Sequence, residues 1–356
     1  MESIWLKIIS NKSNPACWPA VAILWIVSLF YRFGLYLRNR IVSDKVKTKA
    51  PVISIGNLTV GGTGKTPLVI EIARHFLNKN CRVGVVGGGY HRAVRDDIVA
   101  IGSDISRMSI DKIGDELMLL AESLPEAFFA VTGSKSNSAR LLDNQFTPDV
   151  IIIDDGFQHR RLHRDTDILL FDATLDLRKE SLFPLGRLRE PLSAAGRAGR
   201  VLLTKANFVQ DNNSFTDWCL KNFTAQKPLA VEFINDSIIS DNSVVPIDSI
   251  SGTKCFFFAG IAGFNTPLNA IKNAGLELAG FRRFPDHHSY RTGDIASLQR
   301  EIAETGPEYL ITTYKDYVKL RDFDFGRQLY YLNLKLNFGE AGRAFFERLD
   351  SIISKR

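Results

Sequence analysis

The segment Val60-Gly61-Gly62-Thr63-Gly64-Lys65-Thr66-Pro67 places a lysine and a hydroxyl directly after a glycine-rich turn. An apolar run at residues 51–55 precedes it and a helix-forming run at residues 68–77 follows it. Strand, glycine turn, Gly-Lys-Thr and helix is the arrangement of a P-loop. Backbone N–H groups of Gly61, Gly62, Thr63 and Gly64 then approach phosphate oxygens closely, and the helix N-terminus adds a favourable dipole. In that arrangement Lys65 reaches the β and γ phosphates of ATP, and the Thr66 hydroxyl takes a place on Mg2+. Pro67 suits the first helical turn, where its missing N–H has no intrahelical partner to lose. The strict pattern has a glycine at position 59, which here is Thr59. Gly61 and Gly62 are expected to make the turn instead.

Four further groups of residues have chemical potential. The apolar run 150–153 ends in Asp154-Asp155-Gly156, where a P-loop protein keeps its metal-side acid. An ordinary strand-end turn has the same look, so the motif gains weight only beside the P-loop. Phe157-Gln158-His159-Arg160-Arg161 follows at once with donors and an imidazole, although a lone His is more often structural. Gly114-Asp115-Glu116 opens a helical stretch. Its acids suit a helix N-terminus, and Asp115 equally suits a general base; the residues alone favour the cap. Pro285-Asp286-His287-His288 offers an Asp-oriented His for acid–base work, with no Cys or third His at zinc-ligand spacing. The loop Pro184-Leu-Gly-Arg187-Leu-Arg189-Glu190-Pro191 carries two arginines able to clamp phosphate, or simply to face solvent.

These groups need a frame that gathers strand ends. Runs at 82–86, 150–153, 168–171 and 201–204 read as buried parallel strands, and helical stretches at 68–77, 116–123 and 138–143 alternate with them. That is βαβ construction, with active groups at the carboxyl ends of the strands. The polar segment 209–226 marks a transition. Beyond it, strands are expected at 254–260, 309–313 and 328–332, and helices at 268–274, 295–303 and 340–354. The fold class is therefore α/β, P-loop NTPase-like, with a mostly parallel sheet and a second, smaller α/β domain. No internal repeat or low-complexity tract interrupts it.

Of the net charge of +6 on 356 residues, all lies in residues 1–50, which hold eight basic and two acidic side chains. A general nucleic-acid-binding surface is therefore poorly supported. Four scattered cysteines without a CxxC pair argue against a zinc site or disulfide framework and fit a reducing compartment. Trp18 to Tyr31 runs fourteen residues without a charge, with further aromatics and arginines after it. The uncharged run is shorter than the roughly 20 residues of a comfortable span. Its aromatics and flanking cations favour insertion at the headgroup interface of anionic lipid over a buried core helix or a full span.

Taken together, the motifs resemble the tetraacyldisaccharide 4'-kinases of lipid A synthesis. The resemblance is carried by residues 56–67, Gly114-Asp115-Glu116, Asp154-Asp155-Gly156-Phe157-Gln158-His159 and residues 184–191. Val201-Leu-Leu-Thr-Lys205, Gly260-Ile261-Ala262, Asp286-His287 and Thr312-Thr313-Tyr314-Lys315-Asp316 extend it. It implies ATP-dependent phosphorylation of the 4'-hydroxyl of an acylated glucosamine disaccharide 1-phosphate, giving lipid IVA. It also implies an N-terminal helix seated in the inner membrane on its cytoplasmic face. By position, the family's catalytic Asp falls on Asp115 and its partner on His287. The metal-side acids fall on Asp154 and Asp155 with Gln158 and His159 beside them, and Arg189 and Glu190 match a loop near the phosphates and metal. Two departures stand out: the family's Ser-Arg-Gly-Tyr-Gly-Arg is Gly87-Gly-Gly-Tyr90-His91-Arg92, and its Thr-Thr-Glu-Lys-Asp has Tyr314 in place of the acid.

The expected organisation is a membrane-interface helix over residues 1–40, a P-loop kinase domain over 41–225 and a smaller α/β domain over 226–356. A membrane-bound ATPase switch of the partitioning or metallochaperone type is the main rival. Those P-loops often begin with a lysine where this chain has Val60. A soluble small-molecule kinase or ATP-dependent ligase leaves the aromatic, basic N-terminus unexplained.

Overall fold

The computed structural model describes residues 2–41, 45–88, 96–211, 213–222, 227–261 and 263–354. Residues 89–92 of the loop that departs from the family pattern lie outside these, as do Ala262 and part of the 209–226 segment.

By contact the chain forms two compact units, each assembled from separated stretches of sequence. The first comprises residues 1–65, 150–231 and 338–356, and the second residues 66–149 and 232–337.

The first unit opens with helices α1 (Glu2–Ser10) and α2 (Trp18–Ile41), then strand β1 (Val52–Asn57) and the turn leading into α3 (Lys65–Leu77). The second unit takes up the chain with the rest of α3, β2 (Val83–Val86), β3 (Ile98–Ile101), α4 (Gly102–Ile105), α5 (Ile110–Ile113), α6 (Asp115–Ser123), β4 (Phe128–Val131) and α7 (Lys135–Phe146). The chain returns to the first unit with β5 (Val150–Ile153), β6 (Thr166–Asp172), β7 (Arg200–Thr204) and α8 (Asn213–Asn222). Strand β8 (Leu229–Ile239) starts there and ends in the second unit. The second unit is completed by β9 (Val244–Pro246), β10 (Lys254–Ala259), α9 (Asn265–Asn273), β11 (Glu277–Arg283), α10 (Thr292–Thr305), β12 (Tyr309–Thr313), α11 (Tyr314–Leu320) and β13 (Leu329–Asn337). Helix α12 (Gly342–Ile353) closes the first unit.

In the first unit β1 pairs in parallel with β5 on one side and β6 on the other, and β6 continues in parallel to β7. Their residues are buried almost without exception, which is why these strands read as continuous apolar runs. In the second unit β11, β10, β12 and β13 are parallel in that order, and β8 joins β13 antiparallel. The α/β class with a mostly parallel sheet is thus as expected. Strands β3, β4, β8, β9 and β11 were not expected. Four of them are short or half-exposed, and β11 (ELAGFRR) is too polar to show a strand period.

Helix α2 extends ten residues past the uncharged run, because arginines inside a helix do not end it. Residues 15–40 are long and apolar enough to cross a membrane by length and composition. Little of this stretch is buried; Phe30 is 73% exposed, which argues against a core helix.

Close approach of β1 to the loop after β5 fixes the site end of the first sheet. A Cβ on Gly56 would lie 2.6 Å from Phe157 Cβ and 2.9 Å from its backbone nitrogen. Phe157 is fully buried in the first unit's core with Leu58, Leu169 and Leu188. Gly56→Ala is therefore expected to destabilise by about 1–3 kcal/mol. The check is a lower denaturant midpoint at an unchanged slope.

Candidate active site

The phosphate-side group belongs to the first unit and grows from Asn57, the last residue of β1 and fully buried. Its Nδ2 donates to Thr63 Oγ1 at 2.9 Å, and its Oδ1 accepts from Lys65 Nζ at 3.3 Å and from the Arg189 guanidinium. Between them the chain turns through Gly61 at φ +123° and Gly64 at φ +85°, conformations that side chains disfavour. Thr59, where the strict motif has glycine, instead forms a β-bridge with Leu188. The far side of the turn is held from β7: the Thr204 hydroxyl donates to the Thr63 carbonyl at 2.9 Å, and Lys205 Nζ donates to the Gly62 carbonyl at 3.0 Å. Lys205 is itself paired with Asp172 at the end of β6.

Asp154 and Asp155 end β5. Asp154 is 3% exposed, and Asp155 adopts φ +51°. Arg189 grips Asp155 in bidentate fashion, both contacts being 2.9 Å, and Lys65 Nζ lies 3.6 Å from the same carboxylate. Gln158 Nε2 donates to the Asn57 carbonyl at 2.8 Å. His159 is exposed at the following turn. Glu190 is only 1% exposed, and its oxygens are engaged by Arg38 at 2.6 Å and Arg197 at 2.8 Å. Thr66 follows Lys65 as the second residue of α3. Among the described residues no three His, Cys, Asp or Glu side chains converge as a metal cluster. Asp154 and Asp155 are oxygen donors, a ligand type that suits Mg2+.

The second group belongs to the second unit. Gly114, at φ +84°, lets the chain turn into α6, and Asp115 is its first residue. The Asp115 carboxylate, 7% exposed, faces His287 Nδ1 at 3.0 and 3.3 Å and Lys319 Nζ at 3.0 Å. Its charge is thus engaged by named partners far along the chain, beyond the capping role that its position suggests. Lys315, one turn before Lys319 on α11, places Nζ 2.9 Å from His287 Nε2 and 3.3 Å from Asp286. With Lys315 donating to Nε2, the neutral imidazole carries its proton on Nδ1 and donates to Asp115.

Burial alone would raise the pKa of Asp115. The His287 hydrogen bond and the charges of Lys319 and Lys315 overcome it and hold the carboxyl well below its ordinary range. The hydrogen bond that His287 donates to Asp115 raises the imidazole above its usual value, against burial and the Lys315 charge. His287 itself is held at φ +56°, with its N–H directed to the Gly260 carbonyl at 3.1 Å.

The motif at residues 312–316 divides its labour. Asp316 is fully buried and accepts from Gly260 N–H at 2.9 Å, the Thr313 hydroxyl at 2.7 Å and the Tyr290 hydroxyl at 3.0 Å, locking the ends of β10 and β12. Tyr314, where the family has an acid, donates to Glu122 at 2.8 Å, and Arg321 pairs with the same carboxylate. The residue thus ties α11 to α6. Sequence reasoning gave no role to Asn57, Lys315 or Lys319. The only local signal was a lysine pair four apart in Tyr-Lys-Asp-Tyr-Val-Lys-Leu, which also fits a solvated helix face.

A family model described as tetraacyldisaccharide-1-P 4'-kinase matches residues 20–354. The chain belongs to that family. A tetraacyldisaccharide 4'-kinase of Pelobacter propionicus is 36% identical over 272 residues, covering 76% of this chain and 74% of that protein. One of Geobacter sulfurreducens is 34% identical over 323 residues, covering 89% of each. Among solved structures, the LpxK of Aquifex aeolicus in complex with ATP matches at a TM-score of 0.75 and 27% identity, covering 94% of this chain and 99% of that one.

In this family member the cation nearest Asp115 is open to test. Lys319→Met removes one of the two lysine charges at the carboxylate, leaving His287 and Lys315. The Asp115 pKa must then rise, so protonation sets in at higher pH and the acid limb of kcat/KM moves upward. The pH profiles of the two proteins check this; an unmoved limb would count against Asp115 as the titrating base.

Proposed function

We infer that the chain is an ATP-dependent tetraacyldisaccharide 4'-kinase, transferring the γ-phosphoryl group of ATP to the 4'-hydroxyl of a tetraacyldisaccharide 1-phosphate to give lipid IVA. The observation that carries the reading is a buried, ionised Asp115 held by His287 and two lysines in a chain that also has a complete P-loop turn. An ATPase switch has no need of such a proton acceptor, so that rival is not favoured.

In this reading the sugar oxygen attacks the γ-phosphorus, the bond to the β–γ bridging oxygen breaks, and ADP leaves. Lys65 and Arg189, which now lie on Asp155 and Asn57, turn to phosphate oxygens and offset the charge that spreads over them. Gln158 and His159 lie on the same loop as further donors. Thr66, Asp154 and Asp155 are the residues that would hold Mg2+, which would supply charge neutralisation for the transferred group. Glu190, also expected on the metal side, would have to give up an arginine to reach it. The hydroxyl proton passes to Asp115. A carboxylate of such low pKa is a weak base, which suits a loose transition state in which the proton leaves late. His287 orients it through Nδ1–H.

Residues 1–40 seat the protein at the cytoplasmic face of the inner membrane, 41–225 handle the nucleotide and 226–356 complete the enzyme. The exposed aromatic residues of α2 and the basic residues after them support this placement. Phe30→Glu with Phe33→Glu is expected to abolish sedimentation with anionic vesicles while the protein stays folded; unchanged partitioning would assign the anchor elsewhere.

The function itself is tested with radiolabelled ATP and the acylated disaccharide 1-phosphate, followed by identification of the labelled product. Asp115→Asn should lower kcat by about 10²-fold or more with little change in the KM for ATP, since the amide keeps the shape without the base. His287→Ala should lower kcat as well, and the double variant should lose less than the two effects combined, because the pair acts as a unit. Wild-type turnover in both single variants would remove the dyad from the mechanism.

A further inference from the structure

The loop at residues 183–190 touches two things at once within the first unit. On one side it lies along the P-loop turn: Arg189 N–H donates to the Leu58 carbonyl at 2.7 Å, and Val60 N–H donates to the Arg187 carbonyl at 2.8 Å. From there the Arg189 side chain reaches Asp155 and Asn57. On the other side the loop is held by the two N-terminal helices. The Trp5 indole donates to the Pro184 carbonyl at 2.7 Å. The rings of Trp5 and Tyr31 flank Phe183, each at 5.7 Å. The Tyr31 hydroxyl donates to the Arg189 carbonyl at 2.9 Å, and Arg38 pairs with buried Glu190 at 2.6 Å.

We propose that α1 and α2 are part of the nucleotide site as well as a membrane anchor: Tyr31 and Arg38 fix residues 189 and 190, and so set the position of Arg189 beside the P-loop. This rests on the reading that the P-loop group holds ATP. The physical argument is one of adjacency and burial. Tyr31 binds the carbonyl of the residue whose guanidinium lies at Asp155, so a shift of that peptide moves the guanidinium with it. Glu190 follows in the chain and is nearly inaccessible to water, so its charge must be met by protein groups. Arg197 supplies one partner from the same chain region; Arg38 supplies the other from a helix otherwise exposed along most of its length. Without Arg38, half of that carboxylate is unmatched, and the loop has reason to move. Both contacts are made to the loop, by the Tyr31 hydroxyl and the Arg38 guanidinium, so variants that change only those groups keep the exposed aromatic residues of α2. Tyr31 and Arg38 are positioning residues that act through Arg189.

The test uses the full chain in detergent micelles, with a fluorescent ATP analogue as the probe and kinetics alongside. Arg38→Gln should weaken nucleotide binding and raise the KM for ATP by about threefold to tenfold, the size of one ordinary hydrogen bond, because the contact acts on the nucleotide only through Arg189. Tyr31→Phe, which keeps the ring against Phe183, should show a smaller rise, and Arg38→Lys should restore part of the loss. Both should sediment with vesicles as the wild type does and show an unchanged KM for the lipid acceptor. In an Arg189→Ala background, Arg38→Gln should have almost no further effect on the KM for ATP, whereas a general loss of structure would add its full effect there. Unchanged nucleotide affinity in both single variants, or equal losses with and without Arg189, would overturn the proposal. A wild-type protein that fails to bind the probe would instead overturn the reading of the P-loop group as the ATP site.

Discussion

Asn57 has no contact with water and four polar neighbours to satisfy, and the phosphate side of the protein is arranged around that requirement. Its amide holds Thr63 and its carbonyl oxygens hold Lys65, Arg189 and Gln158. A buried amide left unmatched costs about 1–3 kcal/mol, so these groups are fixed in relation to one another. The result is a glycine turn whose lysine, neighbouring arginine and strand-end carboxylate are held together in one network. Lys205 and Thr204 brace the other edge from β7. Most of the group lies at or just past the carboxyl end of a parallel strand, where the backbone runs out of ladder partners and side chains take over; Arg189 comes from the loop between β6 and β7.

The second unit solves a related problem with charge. A carboxylate as buried as Asp115 would ordinarily be protonated. His287, Lys315 and Lys319 reverse that balance; the first comes from the loop after β11 and the two lysines from α11, whose first turn carries Asp316. The arrangement trades basicity for a carboxylate that stays ionised despite its burial. That trade is tolerable in phosphoryl transfer, where positioning and charge neutralisation contribute more than proton abstraction.

The N-terminal helices give the first unit an unusual boundary condition. An anchor that only held the protein at a membrane would need no polar contact with the rest of the chain. Here Trp5, Tyr31 and Arg38 all spend their polar groups on one loop. The exposed apolar surface and the surface turned to the loop are on the same helices, so the two share one element.

Much of this protein is local and therefore legible in its residues. The P-loop turn, the acids ending β5 and the buried parallel strands are each written within a dozen residues, because a strand, a glycine turn and a helix start impose their own periods and residue types. The family resemblance pairs Asp115 with His287, 172 positions apart; the residues alone favour a helix cap at Asp115. Lys315 and Lys319 fit a solvated helix face, and Tyr314 stands in the sequence only as a departure from the family's acid, because nothing local reveals that α11 packs against α6. Glu190 sat in a loop with two arginines, and only the packed chain brings Arg38 from α2 to its buried carboxylate. The sequence by itself determined which chemistry is on offer at each strand end. The tertiary structure alone decided which charges are buried and which partners meet them, since burial and electrostatic pairing depend on distances that sequence separation does not encode.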